Sequence, residues 1–535
     1  MPLPRNANVR VANEPQDLNL DPFGGTGATW RGKIILPLDG PKSVTTQLDS
    51  GEVIKASNGV ITYTFLDKAF LTGLYNNPTI GFTAAFGLSP YSAEQQAAAR
   101  AAIQLWDDLI PQSFRETNGR GADISFSNSL DPAQAYAYYP GKQGWKFQSD
   151  VFTADPNIPD SQGGNWTNKW FTPGGYGTTT LVHELGHAIG LSHPGAYNYD
   201  PNVPQTYDGL AEYAQDTNQY SIMSYWSSSF TGARTINWST LTNNNAQTPM
   251  LHDIYVIQQK YGADLTTRTG DTVYGFGTNT GNAIYDFAKN PFPYLSIYDA
   301  KGNDTINASG FSVSQFIDLH AGSFSSIGGA VPDAATINAA RAELSKLAGY
   351  DVGSVTAASA SATATSFINA NTASIKADTG VDGIAATEYQ NFSIAYGVTI
   401  ENAIGGSARD LIWGNSSANK LEGRGGNDVI NGFGGADQLL GGAGNDTFEF
   451  SVVDKLSRIV DWNAGDKIDL KKIDAIAGGA DNAFTWIGDG NFTKVAGQLH
   501  YKGGVLEGDV NGDGVADFAI TLVGSPLLGV GDLTL

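Results

Sequence analysis

Beginning at Gly405, five consecutive nonapeptides run in phase without a gap: GGSARDLIW, GNSSANKLE, GRGGNDVIN, GFGGADQLL and GGAGNDTFE. Their sixth positions are Asp410, Asn419, Asp428, Asp437 and Asp446, and their eighth positions are Ile412, Leu421, Ile430, Leu439 and Phe448. A unit this short cannot bury its one large apolar side chain alone, so it must stack on its neighbours. The pattern predicts a parallel β-roll in which each repeat is a glycine-rich turn followed by a short strand, with the eighth-position side chains forming a thin core.

The turns of such a roll carry the oxygen donors that hard cations take. Asp410, Asn419, Asp428, Asp437 and Asp446 offer side-chain oxygens, and the turn glycines Gly406, Gly426, Gly435, Gly442 and Gly444 offer carbonyls, so several structural Ca2+ ions are expected. Asn419 in place of aspartate and Ala408 in place of a fourth-position glycine weaken the first turns. The whole chain is acidic, with 53 Asp and Glu against 31 Lys and Arg and a formal net charge of −22. That balance repels nucleic acid and anionic membranes, and it disfavours a compact state until cations neutralise it. Residues 265–535 are therefore expected to fold cooperatively on calcium. DVNGDGVAD, at 509–517, has the spacing of the first nine positions of an EF-hand loop, with Asp509, Asn511, Asp513 and Asp517 as donors. An ordinary Asx-rich turn is the alternative there.

At 535 residues the chain is too long for one core, and a composition shift near residue 265 marks a boundary. Residues 1–55 are Gly-, Pro- and Asn-rich and read as a leader or propeptide. A first domain over 56–264 has mixed α and β signals. VITYTFL (60–66), ADISFSNS (122–129) and AYAYYPG (135–141) predict strands, and 89–110 predicts a long helix capped at Ser92 with Gln95. MLHDIYVIQQKYGAD (250–264) predicts a helix ended by Gly262. The roll domain, 265–535, is interrupted at about 331–390 by an Ala-, Ser- and Thr-rich insertion carrying a candidate helix, AATINAARAELSKLAGY, and no readable chemistry. The fold class expected is α+β followed by all-β.

Three of the six histidines fall in HELGHAIGLSH. On a helix His183 and His187 share a face, and Gly190 can end that helix in a left-handed conformation, so that His193 completes a three-nitrogen set. Such a set selects zinc over calcium or magnesium and leaves a position for water. Glu184 projects beside it, near enough to take a proton from that water without being a ligand itself. His252, His320 and His500 stand alone and read as ordinary structural or surface histidines. No GxSxG elbow is present.

HELGHAIGLSH followed by SIMSYW resembles the metzincin metalloproteases, and His193-Pro194-Gly195 with Tyr225 is similar to the serralysin family in particular. The resemblance, over roughly 60–330 and 390–475, implies a catalytic domain with a twisted sheet and long helices, then a calcium-binding β-roll or sandwich. It implies one catalytic Zn2+ on His183, His187 and His193, Met223 beneath the site, and Tyr225 as a further ligand that helps stabilise the tetrahedral intermediate. TRTGDTVYGF, YDAKGNDTI and GVTIENAIGG resemble the family's additional calcium segments, implying donors at Arg268, Gly270, Thr272, Asp299, Gly302, Asp304, Thr399 and Glu401. The implied activity is hydrolysis of internal peptide bonds of protein and peptide substrates.

With no cysteine, neither disulfides nor a thiolate switch on the zinc is available. The N-terminus lacks a secretory h-region, and no apolar run approaches a membrane span. Proteins resembling this one leave Gram-negative cells through a type I secretion transporter that reads an uncleaved C-terminal signal, with which the tail LLGVGDLTL is compatible. The expectation is an extracellular, monomeric enzyme that binds no nucleic acid and has no membrane span. A calcium-binding adhesin or surface-layer protein with a vestigial zinc site is the rival, and the intact histidine set argues against it.

Overall fold

The computed structural model describes residues 29–67, 87–118, 121–130, 132–141, 148–162, 164–198, 202–476, 478 and 482–535. The first half of the expected leader, residues 1–28, lies outside them.

A five-stranded sheet organises the first domain, in the order Ser113–Glu116, Val60–Phe65, Ile124–Ser129, Ser149–Ala154, Ala135–Ala137. All neighbours are parallel except the last pair, so Ala135–Ala137 forms an antiparallel edge. Both central strands, Ile124–Ser129 and Ser149–Ala154, are buried along their whole length, as parallel strands covered on two faces are.

Across the sheet lie the helices Ala93–Asp107 and Tyr176–Ala188. The first starts as its sequence predicts. Ser92 Oγ accepts from Gln95 N at 3.2 Å, and Gln95 Oε1 accepts from Ser92 N at 3.0 Å, closing a capping box. Its Trp106, fully buried, donates Nε1–H to Val182 O of the second helix at 3.0 Å. Leu251–Tyr261 is the third long helix, ended by Gly262 at φ +88°.

Residues 33–54, grouped with the leader by sequence, pack into this domain. Ile35, Val44 and Leu48 are fully buried. Leu36 exchanges backbone hydrogen bonds with the Gln215 amide, both 3.0 Å. Ser50 N and Oγ both donate to Gly190 O, and Ser192 N donates to Leu48 O at 2.7 Å. The segment therefore braces the turn that carries His193.

Beyond residue 265 the chain winds into the expected roll. One ten-stranded sheet begins Val273–Gly275, Thr305–Asn307, Asn402–Ile404, Lys420–Gly425, Gln438–Ala443, and a six-stranded sheet begins Phe316–Asp318, Leu411–Trp413, Val429–Asn431, Thr447–Glu449. Successive nonapeptides alternate between the sheets, so each strand pairs in parallel with the strand two repeats on: Leu411 with Val429, and Lys420 with Gln438. Ile412, Leu421, Ile430, Leu439 and Phe448 are all fully buried between the sheets. The roll closes on an antiparallel meander, Gln498–Lys502, Val505–Asp509 and Phe518–Leu522.

The insertion leaves the roll after the short strand Phe324–Ser325 and returns at Phe392–Ile394, which pairs with it. It holds two helices, Ala334–Ala348 and Ala357–Thr379. They turn back onto the first domain. Arg341 donates to Thr240 O at 2.8 Å, Tyr350 meets the Trp166 ring edge-on at 6.0 Å, and Phe367 meets Trp238 at 5.5 Å. Arg234, stacked over Tyr389, donates to Asn371 Oδ1 and Ala370 O at 2.8 and 3.0 Å.

Candidate metal centre

The centre is built on the helix Tyr176–Ala188, ten of whose 13 residues are buried. Three imidazoles converge there, and what orients each is its other nitrogen. Nδ1 of His183 lies 2.8 Å from Ile222 O, Nδ1 of His187 2.8 Å from Leu191 O, and Nδ1 of His193 2.9 Å from Tyr197 O. A carbonyl oxygen only accepts, so each Nδ1 carries the proton and each Nε2 presents a lone pair. Those lone pairs face one another, with His193 Nε2 3.2 Å from His183 Nε2 and 3.1 Å from His187 Nε2.

Three acceptors meeting without a proton between them repel unless a cation sits among them. Their spacing suits a tetrahedral ion with metal–nitrogen bonds of about 2.0–2.1 Å. Burial pushes the pKa of His183 down to about 4 and of His193 to about 3, and burial with the neighbouring imidazoles holds His187 well below its ordinary value. The set is neutral and ready to bind a metal. Among the described residues, no other three His, Asp or Glu side chains are placed to hold an ion in this way. The residues present therefore fit zinc.

Gly190 makes the third ligand available. It adopts φ +103°, and a Cβ there would lie 2.2 Å from Glu52 O, so only glycine lets the chain reverse against the brace from residues 47–52. Gly186, inside the motif, is equally constrained: a Cβ would meet Met223 Sδ at 2.5 Å. Met223 is fully buried directly beneath the imidazoles' helix. Tyr225 is 41% exposed, with its ring centred 4.5 Å from His193 and 6.1 Å from His183.

Glu184 is buried, and its Oε2 has no hydrogen-bond partner among the described residues. Burial pushes its pKa up to about 8, the direction a carboxyl takes when it is poised to accept a proton near neutrality. Tyr139, beyond the edge strand, meets the His187 ring at 5.5 Å, so the edge strand Ala135–Ala137 borders the centre.

Three supporting side chains were missed by the sequence reading. Asp253 accepts from Ser221 Oγ and Ile222 N, both at 2.6 Å, and from Met250 N at 2.8 Å, fixing the turn that holds Met223 and the His183 acceptor. Its position three residues inside a helix start was the available signal. Asp216 accepts from Tyr197 Oη at 2.8 Å and Ser224 Oγ at 2.7 Å, and Tyr197 stacks on His193 at 5.4 Å. Glu212 accepts from Ala196 N at 2.9 Å. His252, His320 and His500 lie away from the centre, packed respectively on Tyr220, Asp318 and Glu507.

The candidate calcium residues fall into three places. In the roll, sixth-position side chains form ladders: Asp428 Oδ1 accepts from Asp410 N at 2.8 Å, Asp446 Oδ1 from Asp428 N at 2.9 Å, and Asp437 Oδ1 from Asn419 N at 2.9 Å. The second oxygens of Asp428 and Asp446 have no partner among the described residues. Each sixth side chain lies across the first glycine of its own repeat, where a Cβ on Gly432 would sit 2.0 Å from Asp437 Oδ2. Gly426, Gly435 and Gly444 take positive φ and pass within clashing distance of the turn below, while Gly442 does so against Arg424.

Near the start of the roll, Asp304 Oδ1 accepts from Thr272 N at 2.8 Å and Glu401 Oε2 from Asp304 N at 2.8 Å. A Cβ on Gly302 would touch both Asp304 Oδ1 and Gly270 O, at 2.3 and 2.5 Å. Asp299 accepts from Tyr274 Oη at 3.0 Å. Thr399 lies exposed two residues before Glu401. Arg268 turns its guanidinium to Asp108 and to Tyr298 O, tying the roll to the first domain. In the last place, the 509–517 loop joins two antiparallel strands. Asp509 accepts from Gly512 N and Gly514 N at 2.7 and 2.9 Å, Asn511 Nδ2 donates to Asp517 Oδ1 at 2.8 Å, and Asp513 accepts from Val515 N at 2.7 Å.

Three converging imidazoles on a helix-and-sheet domain, followed by a roll of in-phase repeats, define the class of protein. The model of the peptidase M10 serralysin C-terminal family matches residues 263–344 and 359–533, broken within the helical insertion. Metallopeptidase AprA of Pseudomonas marginalis is 37% identical over 87% of this chain and 84% of its own length. Metalloprotease AprA of Pseudomonas entomophila is 36% identical over 87% and 83%, and serralysin G of Dickeya chrysanthemi 32% over 70% and 63%. The chain belongs to the serralysin family of metalloproteases.

Proposed function

We propose that the protein is a secreted zinc endopeptidase whose roll folds on calcium. The observation that carries the reading is the set of three imidazoles, each fixed through Nδ1, aiming unprotonated Nε2 atoms at one point beside the buried carboxyl of Glu184. Zinc held by His183, His187 and His193 would supply a Lewis acid for the scissile carbonyl and lower the pKa of the attacking water. Glu184 would take a proton from the attacking water and deliver it to the departing amine. An extended substrate strand would lie along the edge strand Ala135–Ala137, which borders the centre through Tyr139. By this reading Tyr225, whose ring lies 4.5 Å from that of His193, helps stabilise the oxyanion.

Calcium is the second metal of this reading. Burial raises the pKa of Asp410 and Asp437 to about 7, of Asp428 to about 8 and of Asp446 to about 6. Asp428 and Asp446 each keep one oxygen without a partner among the described residues, and a hard cation in the turns would satisfy them. Folding that waits for calcium suits export of an unfolded chain through a type I transporter and action outside the cell as a monomer. No helix among the described residues is long and apolar enough to cross a membrane.

Hydrolysis of casein tests the reading. Glu184→Ala is expected to lower the rate by a factor on the order of 10² to 10⁴ with zinc still bound. Equal cleavage by the variant would remove Glu184 from the chemistry.

A further inference from the structure

Next to the centre lies a cavity of about 320 Å³ lined by Gln47, Tyr139, His193, Ala196, Tyr197 and Glu212, among others. That is the small end of the roughly 300–1,000 Å³ range of ligand pockets, a size for one side chain. His193, a ligand, forms part of its wall, so a side chain entering it belongs to a residue close to the scissile bond.

The polar lining is one-sided. Glu212 Oε1 accepts from Ala196 N at 2.9 Å. With its amide nitrogen turned to the acceptors around it, Gln47 donates to Pro194 O at 2.8 Å and reaches Glu212 Oε2 at 3.3 Å. Among the described residues no lysine or arginine lines the cavity. The carboxylate is held in place: Ala211 and Tyr213 on either side of it are buried, and Ser192 Oγ ties the His193 loop to Gln47 O at 2.8 Å. A fixed, exposed carboxylate at the mouth of a small cavity favours a cationic side chain, whose charge-assisted hydrogen bond is shorter and stronger than a neutral one.

We propose that Glu212 is a specificity-determining residue that selects substrates carrying arginine or lysine at the position filling this cavity. The inference rests on the endopeptidase reading above. Three families of quenched peptides test it, identical except that each of three positions on either side of the cleaved bond holds Arg, Glu or Ala in turn. The wild type is expected to favour Arg at one position by about tenfold in kcat/KM. Glu212→Gln, which keeps an acceptor for Ala196 N, should bring that ratio close to one, and Glu212→Lys should favour Glu over Arg at the same position. The ratio within each enzyme is the readout, because a merely destabilising change lowers both peptides alike. A wild-type ratio near one at every position, or a Glu212→Gln ratio equal to the wild type's, overturns the proposal. Wild-type protein that cleaves no peptide, indistinguishable from Glu184→Ala, overturns the protease reading itself.

Discussion

Each imidazole of the centre spends one nitrogen on a backbone carbonyl, and that bond decides which nitrogen is left for a metal. The carbonyls come from three different segments, Ile222, Leu191 and Tyr197, so the donor set exists only when the helix, the Gly190 turn and the Met223 turn are all in place. The spacing of HELGHAIGLSH made the histidines, Glu184 and Gly190 legible, because helical geometry and a glycine reversal are local properties. Asp216 and Glu212 were not legible, since Tyr197, Ser224 and Ala196 lie 8 to 19 residues from them, and Asp253 offered only its place at a helix start, with Ser221 and Ile222 32 and 31 residues away. Packing beneath the centre is as tight as its ligand geometry. Gly186→Ala drives a methyl into Met223 Sδ and toward Trp106, an overpacking that costs about 1–3 kcal/mol. A lowered midpoint for the first thermal transition is expected, and an unchanged midpoint would show that Met223 moves aside freely.

Among the elements, the roll strands were the most readable and the insertion the least. A nine-residue period fixes strand, turn and register together, whereas Ala357–Thr379 has only Ala360, Asn371, Ile375 and Thr379 buried along 23 residues. That leaves no apolar stripe to see, and the helix depends on its Thr356 cap, its left-handed Gly380 and the contacts it makes with Arg234 and Trp238. The packing of residues 33–54 was hidden for a related reason. Their role is long-range, against Gln215 and Gly190, and little in their local composition announces it. Where the insertion rejoins the roll, Glu388 is fully buried and accepts from Ile236 N of the first domain at 3.2 Å. Burial holds its carboxyl well above the ordinary range, so the folded chain keeps a proton that the unfolded chain releases. Its stabilising contribution is complete below the unfolded pKa of about 4.3 and is lost as pH rises towards and through the folded value. Glu388→Gln keeps the acceptor for Ile236 N and removes the ionisation. Its melting temperature should exceed the wild type's at pH 8 and match it near pH 4, and a constant difference across that range would show that Glu388 does not titrate.

Over the whole molecule, the N-terminal brace, the catalytic helices, the insertion and the roll share contacts, with Arg268 on Asp108 and Lys260 on Asp49 as ionic ties. The core is correspondingly continuous from Val44 and Trp106 through Tyr274 to the roll's Phe448. A roll that folds on calcium would therefore support the domain that holds the zinc. The central claim is that His183, His187 and His193 bind one zinc ion that peptide hydrolysis requires. Elemental analysis and casein hydrolysis on protein stripped of zinc in constant calcium, then reloaded, test it most directly. One zinc per chain should return together with the activity, and His193→Ala should regain neither. Full hydrolysis by the stripped protein, or by His193→Ala, would contradict the account.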